Sequence, residues 1–111
     1  MARGILAPQQ VTRQGLTPVF SPADSLGLSV ANDGRVMLEV KNGSISPINV
    51  TIQTPGSVDG LAIAELVVQV AASGDKMIGP FPPGIYNQPD GSVYVDFSNV
   101  TSVTVAALRM A

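Results

Sequence analysis

The sequence predicts an all-β fold, a single antiparallel β-sandwich or β-barrel of the jelly-roll type with an extended N-terminal arm. Short segments alternate apolar and polar residues, turn-forming Gly, Pro, Asn and Asp residues separate them, and no helical period persists. Strands with one apolar face become stable when two layers enclose a common core. Typical strand lengths give roughly six to eight strands for a chain of this size.

The alternation is clearest after the turn signal at residues 32–34. Apolar residues occupy every second position over 36–41 and again over 48–53, which predicts an antiparallel hairpin with a loop of about five residues. The segment 61–72 fits either a buried helix or a strand. Its β-branched residues favour the strand.

A proline-rich corner follows a short strand predicted over 76–81. Pro82 and Pro83 lack the amide proton that a sheet ladder needs, so residues 79–84 are predicted to form a rigid crossover or a sheet edge. Two further strands are predicted, over 92–97 and 101–110. The second of them carries apolar residues on both faces, so both faces are expected to be partly covered.

Residues 1–30 are predicted to form the extended arm, and residues 31–111 the β-domain. Pro and Gly interrupt the first segment repeatedly, and no alternating pattern persists in it. Its apolar residues still need burial. They can lie on a neighbouring subunit, or form an irregular strand and loops along the same domain, with disorder as the third alternative.

The composition argues against an enzyme. The chain contains no His and no Cys, so a serine triad, a thiolate nucleophile and a zinc–thiolate site are excluded. Two carboxylate pairs, Asp59 with Glu65 and Asp90 with Asp96, lack the spacing of a calcium loop. We therefore predict no catalytic, cofactor-binding or metal-binding residues.

The charge pattern argues against two kinds of partner. The net charge is −2, and the six basic residues are scattered along the chain, whereas phosphate binding needs them clustered. No apolar run is long enough to span a membrane. We expect neither direct contact with nucleic acid nor a membrane partner.

The last third of the chain suggests a family. The stretch KMIGPFPPGIYNQPDGSVYVDFSNVTSVTVAALRM resembles the C-terminal part of small structural proteins encoded beside the capsid genes of tailed bacteriophages, known as decoration or cement proteins. The resemblance extends over residues 33–110. It implies a non-enzymatic virion protein that is made in the host cytoplasm, binds the major capsid protein on the head surface and stabilises the head. It also favours a homo-oligomer, specifically a trimer.

Two other functions are compatible with the sequence. One is a head-to-tail joining or tail-associated structural protein. The other is a β module that binds carbohydrate or a host surface, although a chain without Trp and with two Tyr is poorly equipped for stacking on sugars.

Contacts between subunits are expected because the chain is unusually apolar for a small soluble monomer. Hydrophobic residues make up 45% of the sequence, and burial between subunits would cover the excess. Aromatic rings beside rigid prolines are good interface anchors. The predicted interface residues are apolar groups of the first segment and of the corner, namely Ile5, Leu6, Leu16, Val19, Phe20, Phe81, Pro82, Pro83 and Tyr86.

Overall fold

The computed structural model describes residues 4–55, 57–58, 60–62 and 64–110. These residues form one helix, α1 (Pro83–Tyr86), and twelve strands: β1 (Gly4–Leu6), β2 (Gln9–Gln10), β3 (Ser21–Pro22), β4 (Leu28–Ala31), β5 (Val36–Asn42), β6 (Ile48–Ile52), β7 (Ser57–Val58), β8 (Leu61–Ala62), β9 (Leu66–Val70), β10 (Asp75–Ile78), β11 (Ser92–Phe97) and β12 (Val103–Arg109). Within these ranges no helix is long and apolar enough to cross a membrane.

The strands form two sheets that pack face to face, which confirms the predicted all-β sandwich and excludes the closed barrel. The first sheet has the order β1-β4-β11-β6-β9, and the second has the order β10-β5-β12-β2, with β3 also on β12. The pair β7-β8 forms a separate two-stranded sheet. Both sheets are mixed, because β1 is parallel to β4 and β2 is parallel to β12. Parallel neighbours need a long connection, and twenty-one residues separate β1 from β4.

The core lies between the sheets and follows the alternation in the sequence. Along β5 the side chains of Val36, Leu38 and Val40 are buried, and those between them are more exposed. Each such Val or Leu contributes about 1.5–3 kcal/mol through burial. The inward residues of the central strands β6, β11 and β12 join one cluster, although on β12 the residues from 105 to 108 are all buried. The strand prediction for 61–72 is confirmed over β9, whose outward residues Val67 and Gln69 are exposed.

The predicted hairpin between β5 and β6 is wrong, because these strands lie in opposite sheets. β5 pairs with β10 and β12, whereas β6 pairs with β11 and β9. The cause is the buried side chain of Asn42. Its Nδ2 donates to the carbonyls of Ser46 and Ala71, and the amide and hydroxyl of Ser44 donate to its Oδ1. These bonds direct residues 43–47 across the end of the sandwich towards the other sheet.

Residues 4–31 lie along the chain's own two sheets, as in the second alternative considered for this segment. Leu6, Leu28 and Val30 are buried in the common core. The boundary predicted between residues 30 and 31 falls inside β4, which is hydrogen-bonded on both sides. Residues 4–30 therefore form part of the β-domain and not a separate arm. Whether this segment also contacts a neighbouring subunit stays a prediction.

Candidate interaction surfaces

The proline-rich corner joins β10 to β11 and closes one end of the sandwich. Gly79 opens it with a φ of +130°, and a Cβ at this position would lie 3.0 Å from the Cα of Met37. Only Gly satisfies both conditions without a shift of β5. Pro82 and Pro83 are exposed, and Ile85 of the short helix α1 is more than a third exposed. The corner therefore presents a rigid, largely apolar outer surface.

Phe81 belongs to the core rather than to that surface. Its side chain is 1% exposed and packs with the inward residues of both sheets. The half-buried ring of Tyr86 meets it edge to face, with ring centroids 5.5 Å apart. The prediction of an interface role for Phe81 is thus corrected. The gap between the sheets at this end needs a large apolar group, and Phe81 fills it.

Asn32 holds the corner against the turn that precedes β5. This buried side chain donates from Nδ2 to the carbonyl of Phe81 at 2.9 Å. Its Oδ1 accepts a hydrogen bond from the amide of Gly34 at 3.0 Å, which shapes the turn. Pro83 of the corner lies beside Gly34 of this turn. A Cβ added to Gly34 would lie 3.4 Å from the proline ring.

Residues 11–20, called the strap below, connect β2 to β3 and lie on the outer face of the second sheet. Gln9 fastens the strap, because its side-chain amide both donates to the carbonyl of Val19 and accepts from the amide of Val19, at 2.8 and 3.0 Å. Phe20 reaches across β12, so that Nζ of Lys41 on β5 lies 4.2 Å from the ring centroid. Ala106 and Leu108, on the side of β12 away from the core, are buried.

The predicted interface residues therefore fall into separate groups. Leu6 is buried like Phe81, so its prediction as an interface residue is corrected as well. Ile5, on the outer side of the edge strand β1, is 88% exposed. The remaining residues lie in two places: Pro82, Pro83 and Tyr86 in the corner, and Leu16, Val19 and Phe20 in the strap. Leu16, Phe20 and Tyr86 are part-buried, whereas Val19 is exposed.

Several exposed apolar residues were not predicted. Ile45 is 95% exposed in the loop between β5 and β6, and Leu61 is 73% exposed on β8. An isolated Ile between two serines in a turn region was the available signal for Ile45. Among the residues that the structure describes, other exposed large apolar side chains are those of Leu26, Val67, Met77, Ile85 and Met110.

A shallow cavity of about 200 Å³ opens at the end of the sandwich where β4 ends and β5 begins. Pro8, Ala31 and Val36 contribute apolar lining. At its side Nε of Arg109 donates to Oδ2 of Asp33 at 2.6 Å. This hydrogen bond, together with one from the backbone amide of Arg35, lowers the pKa of the Asp33 carboxyl.

Two of the carboxylates considered in the sequence, Asp90 and Asp96, act as hydrogen-bond acceptors. Asp90 accepts from the hydroxyl and the amide of Ser92, and these bonds lower the pKa of its carboxyl. Asp96 accepts from Nε2 of Gln53 at 2.8 Å. Asp59 lies outside the described residues. Within the described part of the chain, no three acidic side chains come together in a way that could hold a metal ion.

Comparisons with known proteins assign no family to the chain. No family model matches it, and no match was found among curated proteins or among solved structures. Function is therefore inferred from the residues and surfaces described above.

Proposed function

We propose that the chain is a non-enzymatic structural protein of a tailed-bacteriophage virion, which binds the exterior of the capsid and stabilises the head. The observation that carries the proposal is the combination of a well-packed core with large apolar side chains left outside it. Ile5, Ile45 and Leu61 are each more than 70% exposed, although they belong to a compact sandwich with a nearly continuous apolar core. The resemblance of residues 33–110 to decoration proteins supports the same function.

In the proposed mechanism, each bound copy adds its own contribution to the stability of the shell. Packaged DNA pushes outward on the shell, and each bound copy adds contacts between neighbouring capsid subunits. Burial of one exposed Ile or Leu against a capsid subunit contributes about 1.5–3 kcal/mol. A stable contact of this kind buries more than about 1,000 Å² in total. Because the protein binds the assembled shell in preference to separated subunits, binding stabilises the shell by mass action.

The test compares heads with and without the protein. Heads that lack it are expected to assemble, but to release DNA at lower temperature and under milder osmotic shock than complete heads. Purified protein added back is expected to restore resistance with a saturable dose dependence. Equal resistance of full heads with and without the protein would contradict the proposal.

Two further measurements sharpen the test. Add-back of Ile5→Ser is expected to need a higher concentration than add-back of the control Thr17→Ser, a change on an exposed strap residue that removes one methyl group. Copy number separates the alternatives: on the order of hundreds of copies on the shell supports decoration, and about a dozen at one vertex supports a head-to-tail joining ring.

A further inference from the structure

The sequence contains one Asn that is followed directly by Gly, and this pair, Asn42 and Gly43, lies at the end of β5. In a flexible chain such a pair is chemically labile. Because Gly has no Cβ, its backbone nitrogen can approach Cγ of the preceding Asn more freely than the nitrogen of a larger residue can. The side-chain amide of Asn is then lost as ammonia.

The fold nevertheless requires both residues. The side chain of Asn42 is 1% exposed, and its Nδ2 donates to the carbonyls of Ser46 and Ala71 at 2.8 and 3.2 Å. A Cβ added to Gly43 would lie 2.9 Å from the carbonyl oxygen of Ser102, a distance that forces the backbone to shift. The crossing from one sheet to the other is therefore built on a labile pair.

The folded sandwich keeps the reacting atoms of this pair apart. The amide of Gly43 donates to the carbonyl of Ser102 at 2.8 Å, and the amide of Asn42 donates to the carbonyl of Gly74 at 2.8 Å. Oδ1 of Asn42 accepts from the amide and the hydroxyl of Ser44, at 3.1 and 2.7 Å. Backbone and side chain are thus both fixed, and the nitrogen of Gly43 reaches Cγ of Asn42 only after the end of β5 opens.

We propose that Asn42 is a deamidation site that the folded sandwich protects and that unfolding opens. In the unfolded chain the amide nitrogen of Gly43 attacks Cγ of Asn42 and forms a cyclic imide, while the bond between Cγ and Nδ2 breaks. Nδ2 leaves as ammonia and takes up the proton of the Gly43 amide. Water then opens the imide at either of its two carbonyls, which gives Asp or isoaspartate at position 42. Water is the only co-reactant.

Either product removes contacts that the fold requires. A carboxylate has no hydrogen to donate, so the carbonyls of Ser46 and Ala71 lose their donor, and a negative charge is placed beside their oxygens in a buried position. Isoaspartate also lengthens the main chain beside the close approach of Gly43 to Ser102. A chain that deamidates while unfolded therefore does not regain the native fold, and deamidation makes unfolding irreversible.

The first test measures the rate of deamidation at Asn42. Peptide mapping by mass spectrometry follows it at mildly alkaline pH in the native protein, in the protein unfolded by urea and in a synthetic peptide of residues 39–46. The unfolded protein and the peptide are expected to react at similar rates. The native protein is expected to react at least about 100-fold more slowly, because only rare openings expose the pair. Reaction of the native protein at the rate of the peptide would overturn the proposal.

Asn42→Asp carries one of the two products from the outset. It is expected to unfold at a much lower concentration of denaturant than the native protein, or to be unfolded without denaturant. Asn49→Asp makes the same change at an exposed position of β6 and is expected to unfold like the native protein. Native stability of Asn42→Asp would contradict the irreversible step.

The last test asks whether deamidated chains refold. Protein is held in urea until Asn42 is partly deamidated and is then returned to native buffer, and size-exclusion chromatography separates folded from unfolded chains. Chains modified at Asn42 are expected only in the unfolded fraction. Gln14→Asn provides the matched control, because it creates a second such pair with Gly15 at an exposed place in the strap.

In that variant, chains modified at residue 14 alone are expected to refold and to appear in the folded fraction. Chains modified at Asn42 that appear in both fractions in equal proportion would overturn the proposal.

Discussion

Asn32 and Asn87 bind each other in both directions. Nδ2 of Asn32 donates to Oδ1 of Asn87 at 2.7 Å, and Nδ2 of Asn87 donates to the backbone carbonyl of Asn32 at 3.1 Å. The same Nδ2 of Asn32 also reaches the carbonyl of Phe81. These bonds join the turn before β5 to Phe81 and to Asn87, which lie before and after α1 in the proline-rich corner.

This relationship predicts that Asn32→Ala lowers the free energy of unfolding by about 1–3 kcal/mol, because the carbonyl of Phe81 and Oδ1 of Asn87 lose the donor that they share. Asn32→Asp is expected to cost at least as much, since a carboxylate cannot donate to either group. Chemical denaturation measures both. Asn49→Ala, at an exposed position of β6, serves as the control. A loss at Asn32 no larger than at Asn49 would show that the amide pair is dispensable.

Phe81→Ala is expected to destabilise the isolated protein by about 3–5 kcal/mol, because it removes a buried ring between the two sheets. Pro82→Ala, next to it but exposed, is expected to cost about 1 kcal/mol or less, mainly by adding freedom to the unfolded chain. Thermal unfolding compares the two variants. A Phe81→Ala protein that keeps its melting temperature but loses its association with other subunits would show that Phe81 is an interface residue after all.

The positions of the longer strands could be predicted from the sequence because burial with a period of two is a local property. Val93 and Val95 on β11 show it without reference to any partner strand. The partners themselves could not be predicted. The separation of β5 from β6 depends on Asn42 binding the carbonyl of Ala71, a residue far along the chain.

The candidate surfaces were harder to predict than the strands. A ring between prolines suits a core position and an interface equally well. Phe81 lies in the core because its ring fills space between the two sheets, which the sequence does not show. The strands β1, β2 and β3 have two or three residues each, too few for a periodic pattern. The exposure of Ile45 follows from the route of its loop, which depends on tertiary hydrogen bonds.

Glu39 is expected to destabilise the protein at neutral pH. Burial, followed by the neighbouring Asp75, raises the pKa of its carboxyl above 4.5, while Lys41 opposes the shift. The folded state therefore binds this proton more tightly than the unfolded state does, so stability falls as the pH rises from the unfolded pKa through the raised one.

Glu39→Gln removes this effect and is expected to raise the melting temperature at pH 7. The difference from the native protein is expected to shrink as the pH falls, because the native carboxyl is then protonated and uncharged. Glu65→Gln, on an exposed side chain, is the control. A melting-temperature difference that stays constant with pH would point to packing rather than to charge.

The strap is expected to be held in part by the cation–π contact between Phe20 and Lys41. Both side chains are at least partly in solvent, where such a contact contributes about 0.5–1 kcal/mol. A double-mutant cycle with Phe20→Leu and Lys41→Met should give a coupling energy of that size, since each variant keeps an apolar side chain but removes the ring or the charge. Phe20→Ala is expected to cost more than Phe20→Leu, because it removes more apolar surface from a part-buried position. A coupling energy of zero with equal losses for Phe20→Ala and Phe20→Leu would mean that the strap is fastened by Gln9 and its strand pairing alone.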